Sequence, residues 1–434
     1  MQIARFRAGR VLALVVGLLA VYGATAGATQ PARHVVSNTT YRFPAEWELQ
    51  GSVWMTWQEA PVQYGVPMPL SQDVSARVVK ALVPHVRVDL VTADAAARAR
   101  AVRYLSGYGV DTSRVTFHLL SRRWFWLRDP GPFFLKRSDG TRMVADFGWN
   151  LYGADLAKPP SPATLASGAA DNDIARLLQV HIVASRAVLE GGGYDSNGAG
   201  VLMGIADTAR QRNPGMSLGT IEREYLRLSG ARKMIWLKRS PLTDFWVVKP
   251  PVDNYFTRGA NGHLDELARF VDPHTIVLAD IPGAERNANP LNRIDSRILD
   301  ENYRILKAAT DAQGRHFRVI RVPNPDLRLL WRKHVLRGTK NDALYMAAGF
   351  KKGETVVDVP ASSYMNFFVS NGVVLVPRYW RPGMPAYQRN RDAAVAALFR
   401  QLFPTRRVVQ IDPLSINWFG GGMHCITQQQ PGVR

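Results

Sequence analysis

A chain of 434 residues, 46% hydrophobic and 10% aromatic, is ample for a large core, and its length favours more than one domain or a repeat architecture. The formal charge of +20 would favour anionic surfaces. Lys and Arg are scattered, however, with no long basic run and no nucleic-acid motif, so a nucleic-acid reader is excluded. The single cysteine, Cys425, leaves neither a disulfide framework nor a Cys/His cluster for zinc.

The N-terminus has the three parts of a secretory signal. Arg5, Arg7 and Arg10 form a basic region, residues 11–21 an apolar region, and Ala24-Thr25-Ala26 or Ala26-Gly27-Ala28 a small-residue cleavage site. The apolar run is too short for a comfortable membrane span, and no other segment is apolar enough, so the mature chain is expected to be exported, periplasmic or secreted. Losing these three arginines takes the charge from +20 to +17. Residues 29–40 read as a polar linker and 41–434 as a single domain. A helix is expected over 71–83, with Val74, Val78, Val79 and Leu82 at helical spacing, Ser71 as N-cap and Pro84 as its end. A strand over 86–91 follows, then a helix over 95–105 capped by Asp94 and closed by Gly107, then a strand over 115–120. Further strands are expected over 180–188, 275–278, 317–322 and 407–411, and helices over 295–309 and 391–403. Residues 367–377 read as a hairpin turning at Asn371-Gly372. No period of 20 to 50 residues is visible, which argues against a solenoid.

Five islands set polar groups beside glycines or aromatics. Trp126-Leu127-Arg128-Asp129-Pro130-Gly131-Pro132 locks Asp129 in a turn. Glu190-Gly191-Gly192-Gly193 places a carboxylate at a strand end, and Asp195-Ser196-Asn197-Gly198 after it reads as a hairpin turn. In Gly262-His263-Leu264-Asp265, an extended backbone would turn His263 and Asp265 to one face. Asn366 offers an amide at the mouth of a buried strand. Cys425 lies in Gly420-Gly421-Gly422-Met423-His424-Cys425, where glycines let backbone approach a ligand. A thiol, an imidazole and several carboxylates do not suit a papain-like protease, because carboxylates repel a developing oxyanion. They suit a planar guanidinium, whose five N–H donors two carboxylates can grip. A thiolate could then attack its central carbon, with His protonating the departing ammonia and afterwards activating water.

These motifs, in this order, resemble the agmatine deiminase and bacterial peptidylarginine deiminase family over roughly residues 42 to 431. Asp146-Phe147-Gly148-Trp149-Asn150 and Asn371-Gly372-Val373-Val374-Leu375-Val376-Pro377 are similar to family segments as well. The resemblance implies a five-fold pseudo-symmetric α/β propeller with a central active site and neither metal nor organic cofactor. It implies Cys425 as nucleophile, His263 as general acid/base and Glu190 as the partner that orients His263. Asp129 and Asp265 would hold the guanidinium nitrogens, Trp126 and Asn366 would shape the pocket, and His424 would have only a packing or loop role. The implied partner is agmatine, another small guanidino compound or arginine in peptides; the oligomeric state is left open.

Two places depart from the family pattern. Arg122-Arg123 and Gly259-Ala260-Asn261 stand where agmatine enzymes often carry an acid for the distal ammonium. A basic rim there would better tolerate a substrate bearing a carboxylate, such as free or C-terminal arginine. The alternatives are an amidinotransferase, told apart by the absence of ammonia release without an acceptor, and an exported binding protein that keeps the fold without turnover.

Overall fold

The computed structural model describes residues 40–58, 62–63, 66–153, 162, 166–246 and 251–433, which belong to one compact unit. The secretory signal at 1–28 and most of the 29–40 linker lie outside the described residues. Among those described, no helix is long and apolar enough to cross a membrane.

The fold is α/β with mixed sheets, and five of them share one connection. In each, an antiparallel pair is followed by a helical crossover to a strand parallel to the second member. The pairs are Phe133–Arg137 with Arg142–Gly148, Tyr194–Ser196 with Val201–Ile205, Ala268–Asp272 with Thr275–Asp280, and Phe368–Val369 with Val373–Pro377. Their parallel partners are His181–Val188, Lys233–Leu237, Arg318–Pro323 and Arg407–Ile411. The remaining sheet joins the two ends of the unit: Gln428–Pro431 pairs antiparallel with Gln50–Thr56, which is parallel to Arg87–Thr92 beyond the helix Met68–Leu82. Strands such as Val373–Pro377 are buried along their whole length, as expected where helices cover a parallel sheet. A further sheet, Tyr255–Thr257, Thr355–Val359 and Arg332–Val335, stands outside this pattern.

Local chemistry explains the ends of the elements. Asp94 caps the helix Ala95–Gly107 by accepting from the Ala97 amide, as its sequence predicts. Two starts are earlier than the apolar periodicity suggests. The first helix begins at Met68, so Ser71 lies buried inside it and is no cap. The helix predicted at 295–309 runs Pro290–Ala308, because Asn289 caps it and Pro290 occupies its first turn. Ala386–Leu402 likewise begins before the predicted 391. The expected hairpin turn at 195–198 is present, with Gly198 and Gly200 both at positive φ.

The arrangement gives the five islands a common address. Asp129 precedes the strand beginning at Phe133, Glu190 the one at Tyr194, His263 the one at Ala268, Asn366 the one at Phe368 and Cys425 the one at Gln428. Each island therefore enters the first strand of an antiparallel pair in one of the five like-connected sheets. These strands begin 60 to 100 residues apart where they follow in sequence, so no short period is visible.

Candidate active site

The Cys425 thiol is buried, 2% exposed. Its sulfur is 3.2 Å from the Asn366 amide nitrogen and 3.5 Å from Asp265 Oδ2. Asn366 does more than shape a pocket. Its amide also donates to Glu266 Oε1 at 2.9 Å, and its oxygen accepts the His424 backbone N–H at 2.8 Å. Asn366 thus fixes both the sulfur and the backbone that carries it. Burial, followed by the charges of Asp265, Glu266 and Asp129, pushes the thiol well above its ordinary range. A protonated thiol is therefore the resting state.

His263 is wholly buried. Its own backbone is extended, but the segment is not: a turn of 3-10 helix, Leu264–Glu266, begins directly after it, and that turn still brings Asp265 to its side. His263 Nε2 is 3.3 Å from Glu190 Oε2, while Nδ1 lies 3.8 Å from Asp129 Oδ1 and 3.9 Å from Asp265 Oδ1. Neither Nδ1 nor Asp265 Oδ1 has a hydrogen-bond partner. Burial opposes the imidazolium, but Asp129, Glu190 and Asp265 outweigh it and raise His263 to about 9. Burial, reinforced by Asp265 and Glu190 and opposed by His263, lifts Asp129 to about 6.

Three residues hold this arrangement that their local sequence does not single out. Arg212 is buried and grips Glu190 through Nε at 2.8 and 2.9 Å, while its other nitrogens donate to the Ala260 and Asn261 carbonyls. Despite burial, Arg212 and His263 hold the Glu190 carboxyl down at about 2. Asp244 accepts the backbone N–H of His263 at 2.5 Å and that of Ala260 at 3.2 Å, anchoring the loop that presents the imidazole. Tyr152 donates to Asp129 Oδ2 at 2.8 Å and accepts from Trp124 Nε1 at 3.0 Å. Its ring centroid is 5.6 Å from that of His263. Leu151 and Tyr152 both have positive φ, a strained pairing for residues with side chains.

The glycines of the second island serve close approach. A Cβ at Gly192 would stand 2.4 Å from His263 Nδ1 and 3.1 Å from Asp265 Oδ2, and the Gly192 amide donates to Asp129 Oδ1 at 3.2 Å. Trp126 is buried and forms a wall beside the thiol: a Cβ at Gly421 would touch both its ring and Cys425 Sγ at 3.0 Å.

His424 is no packing residue. Its Nδ1 is 2.6 Å from Asp265 Oδ2 and its Nε2 is 2.7 Å from Glu46 Oε2. The sequence separation of 378 between Glu46 and His424 hides the contact from any local reading. Arg122 is paired with Asp173 (Nε to Oδ2, 2.7 Å), so it does not offer the rim an uncompensated charge. Asn261 spends its side chain on the Trp246 amide and the Tyr152 carbonyl. Asp265, Glu266 and Cys425 bring ligand-capable atoms within 4.8 Å of one another, a set able to surround a cation.

Two buried carboxylates facing an imidazole, with a thiol beside them on a mixed α/β fold, fit the needs of a guanidino deiminase, and the relatives of the chain place it in that class of enzyme. The chain belongs to the Porphyromonas-type peptidyl-arginine deiminase family, whose model matches residues 42–431. It is 30% identical over 397 residues to a protein of Streptomyces avermitilis provisionally named an agmatine deiminase, covering 90% of this chain and 97% of that one. It is 27% identical to an agmatine deiminase of Pseudomonas aeruginosa, covering 91% and 96%. The structure of the Enterococcus faecalis agmatine deiminase superposes with a TM-score of 0.71 at 23% identity, covering 92% of this chain and 99% of that chain, and shows the shared fold.

Proposed function

We propose that the protein hydrolyses the guanidino group of a small alkylguanidine, agmatine first among them, to a ureido group and ammonia. The observation that carries this reading is the convergence of Asp129 Oδ1 and Asp265 Oδ1, 3.8 and 3.9 Å from His263 Nδ1, beside the Cys425 sulfur. Two carboxylate oxygens suit two N–H edges of a guanidinium, and the acidic surroundings suit its charge. Agmatine is favoured because relatives named for it match along nearly their whole length and because Arg122 is neutralised by Asp173. In this reading the five like-connected sheets are the blades of an α/β propeller, with the islands at their entrances forming its centre. Residues 1–28 are read as a leader that directs export.

Cys425 is the nucleophile. The arriving cation offsets the carboxylates that hold the thiol protonated, and the thiol proton is released to solvent. Sγ bonds to the guanidinium carbon. The imidazolium of His263 then gives its proton to one nitrogen, the C–N bond breaks and ammonia leaves, which creates a cationic S-alkylthiouronium. The neutral His263 now removes a proton from water, whose oxygen bonds to the same carbon. The C–S bond breaks, the ureido product loses its extra proton to the thiolate, and ammonia takes up a proton from solvent in place of the one the thiol released. Glu190, pinned by Arg212, holds His263 in place and charged. Activity should fall below about 6, where Asp129 becomes neutral and releases the cation. It should also fall above about 9, where His263 loses the proton that ammonia needs.

The test is ammonia release by purified protein offered agmatine, free arginine and arginine peptides separately, with Cys425→Ala as blank. Turnover of agmatine supports the reading. Turnover of peptides alone moves the substrate to peptidyl-arginine, and silence on all of them sinks deimination.

A further inference from the structure

The contact between Glu46 and His424 has no part in the chemistry above, yet it is among the most tightly built features near the thiol. Glu46, Asp265 and His424 are all buried. Glu46 Oε1 accepts the Val369 amide at 2.7 Å, and Oε2 accepts Arg269 Nη2 at 2.9 Å together with His424 Nε2 at 2.7 Å. Asp265 Oδ2 accepts His424 Nδ1 at 2.6 Å. Every other neighbour of these carboxylate oxygens is a donor, so each ring contact needs its own proton, carried by the ring. A neutral imidazole would aim a lone pair at one carboxylate.

The charges around the ring pull both ways. The groups facing it are Glu46 from the loop before Gln50–Thr56, Asp265 from the 3-10 turn, Arg128 from the first island, and Arg269 with its partner Asp195. Burial, Arg128 and Arg269 disfavour a third cation there. Against these stand Glu46 and Asp265, whose oxygens lie 2.7 and 2.6 Å from the two ring nitrogens, each contact requiring a ring proton. Asp265 Oδ2 is shared between the ring, at 2.6 Å, and the sulfur, at 3.5 Å. Nδ1 and Sγ are therefore no more than about 6 Å apart, within the range over which a charge moves a neighbour's pKa.

We propose that His424, held as an imidazolium between Glu46 and Asp265, is a positioning residue that turns Asp265 Oδ1 toward the guanidinium and offsets the Asp265 charge felt by the Cys425 thiol. The role in binding rests on the proposed deiminase reading; the effect on the thiol does not. Asp265, tied through Oδ2, has one oxygen left over, and it is the unpartnered one that faces His263 Nδ1. His424 sits next to Cys425 in the chain because the backbone that carries the nucleophile also carries its counter-charge.

The experiment is alkylation of Cys425 by iodoacetamide across pH in the full-length protein without substrate, for wild type, His424→Gln, Glu46→Gln and Glu46→Asp. His424→Gln should raise the pH midpoint of alkylation by about one to three units. Glu46→Gln should raise it less, since it removes an anion as well as weakening the imidazolium, and Glu46→Asp should leave it near wild type. In ammonia release from agmatine, His424→Gln should raise KM more than tenfold, as Asp265 loses its tether. An unmoved or lowered midpoint in folded His424→Gln overturns the proposal. Should that variant fail to fold, an unmoved midpoint in the nearly isosteric Glu46→Gln does so. Wild-type protein that releases no ammonia would sink the deiminase reading and leave the alkylation result standing on its own.

Discussion

Replacing Glu190 by Gln removes one charge and little volume from the point where His263 is made basic. In the native protein His263 rises from 6.5 to about 9, and the Glu190 contact at 3.3 Å contributes alongside Asp129 and Asp265. An opposite charge at that range is worth about one to three pKa units. The loss also strips Arg212 Nε of its carboxylate partner and leaves that guanidinium as an uncompensated cation near the imidazole, which pushes the same way. The alkaline limb of kcat/KM should therefore fall from about 9 by at least one unit. Stability should follow. A His whose folded pKa is raised contributes stability that is fully present below its unfolded value of 6.5 and is lost as pH rises through about 9. The full shift corresponds to about 3 kcal/mol, so much of that contribution goes at neutral pH. Breaking one side of a buried ion pair costs about 3–5 kcal/mol, at the lower end here because Arg212 keeps the Ala260 and Asn261 carbonyls. The assay is the pH dependence of ammonia release, paired with thermal unfolding at pH 6 and pH 8. A folded Glu190→Gln protein whose alkaline limb stays at about 9 would refute the assignment of Glu190 as the group that keeps His263 charged.

Other substitutions probe the remaining contacts. Gly192→Ala forces a methyl to 2.4 Å from His263 Nδ1, so kcat should drop by about 10² or more, the scale of an ångström misplacement at a reacting centre; steady-state kinetics near wild-type values would contradict the packing. Asp129→Asn should raise KM for a cationic guanidine and abolish the acid limb near 6, which a pH–rate profile resolves. Asn366→Ala removes the amide hydrogen bond to the sulfur and should shift the alkylation midpoint of Cys425 upward. Asp244→Asn should lower kcat by frustrating the His263 N–H contact while leaving the rate of Cys425 alkylation within about twofold, a comparison that separates the histidine loop from the thiol.

What could be read from sequence and what could not divides along chain separation. The islands around Asp129, Glu190, His263 and Cys425 announce themselves through glycines, prolines and aromatics that constrain the backbone locally, and the structure gathers all of them. Arg212 carries no such mark: it ends a short helix, Ala206–Arg212, and looks like any last-turn arginine until the fold sets it on Glu190. Glu46 sits in Pro44-Ala45-Glu46-Trp47-Glu48 without a glycine, and its partner is at the other end of the chain. Neighbours in an extended segment face opposite ways, but the backbone at His424 turns so that thiol and imidazole meet the same Asp265 oxygen. Helix starts at Met68 and Pro290 lie outside the apolar periodicity for a simpler reason: each helix opens on a proline-containing first turn ahead of its regularly spaced apolar residues. The shared sheet connection was invisible because the units differ in length.

A covalent bond from Cys425 to the guanidinium carbon is open to direct observation by intact-protein mass spectrometry during turnover of agmatine. Acid quenching should trap protein carrying the substrate less one ammonia, localised to the peptide containing Cys425 and absent from Cys425→Ala. More adduct should accumulate in His263→Ala or His263→Asn if water activation is slowed more than ammonia loss. Ammonia release by Cys425→Ala, or full wild-type turnover with the Cys425 peptide unmodified at every time point, would contradict the account.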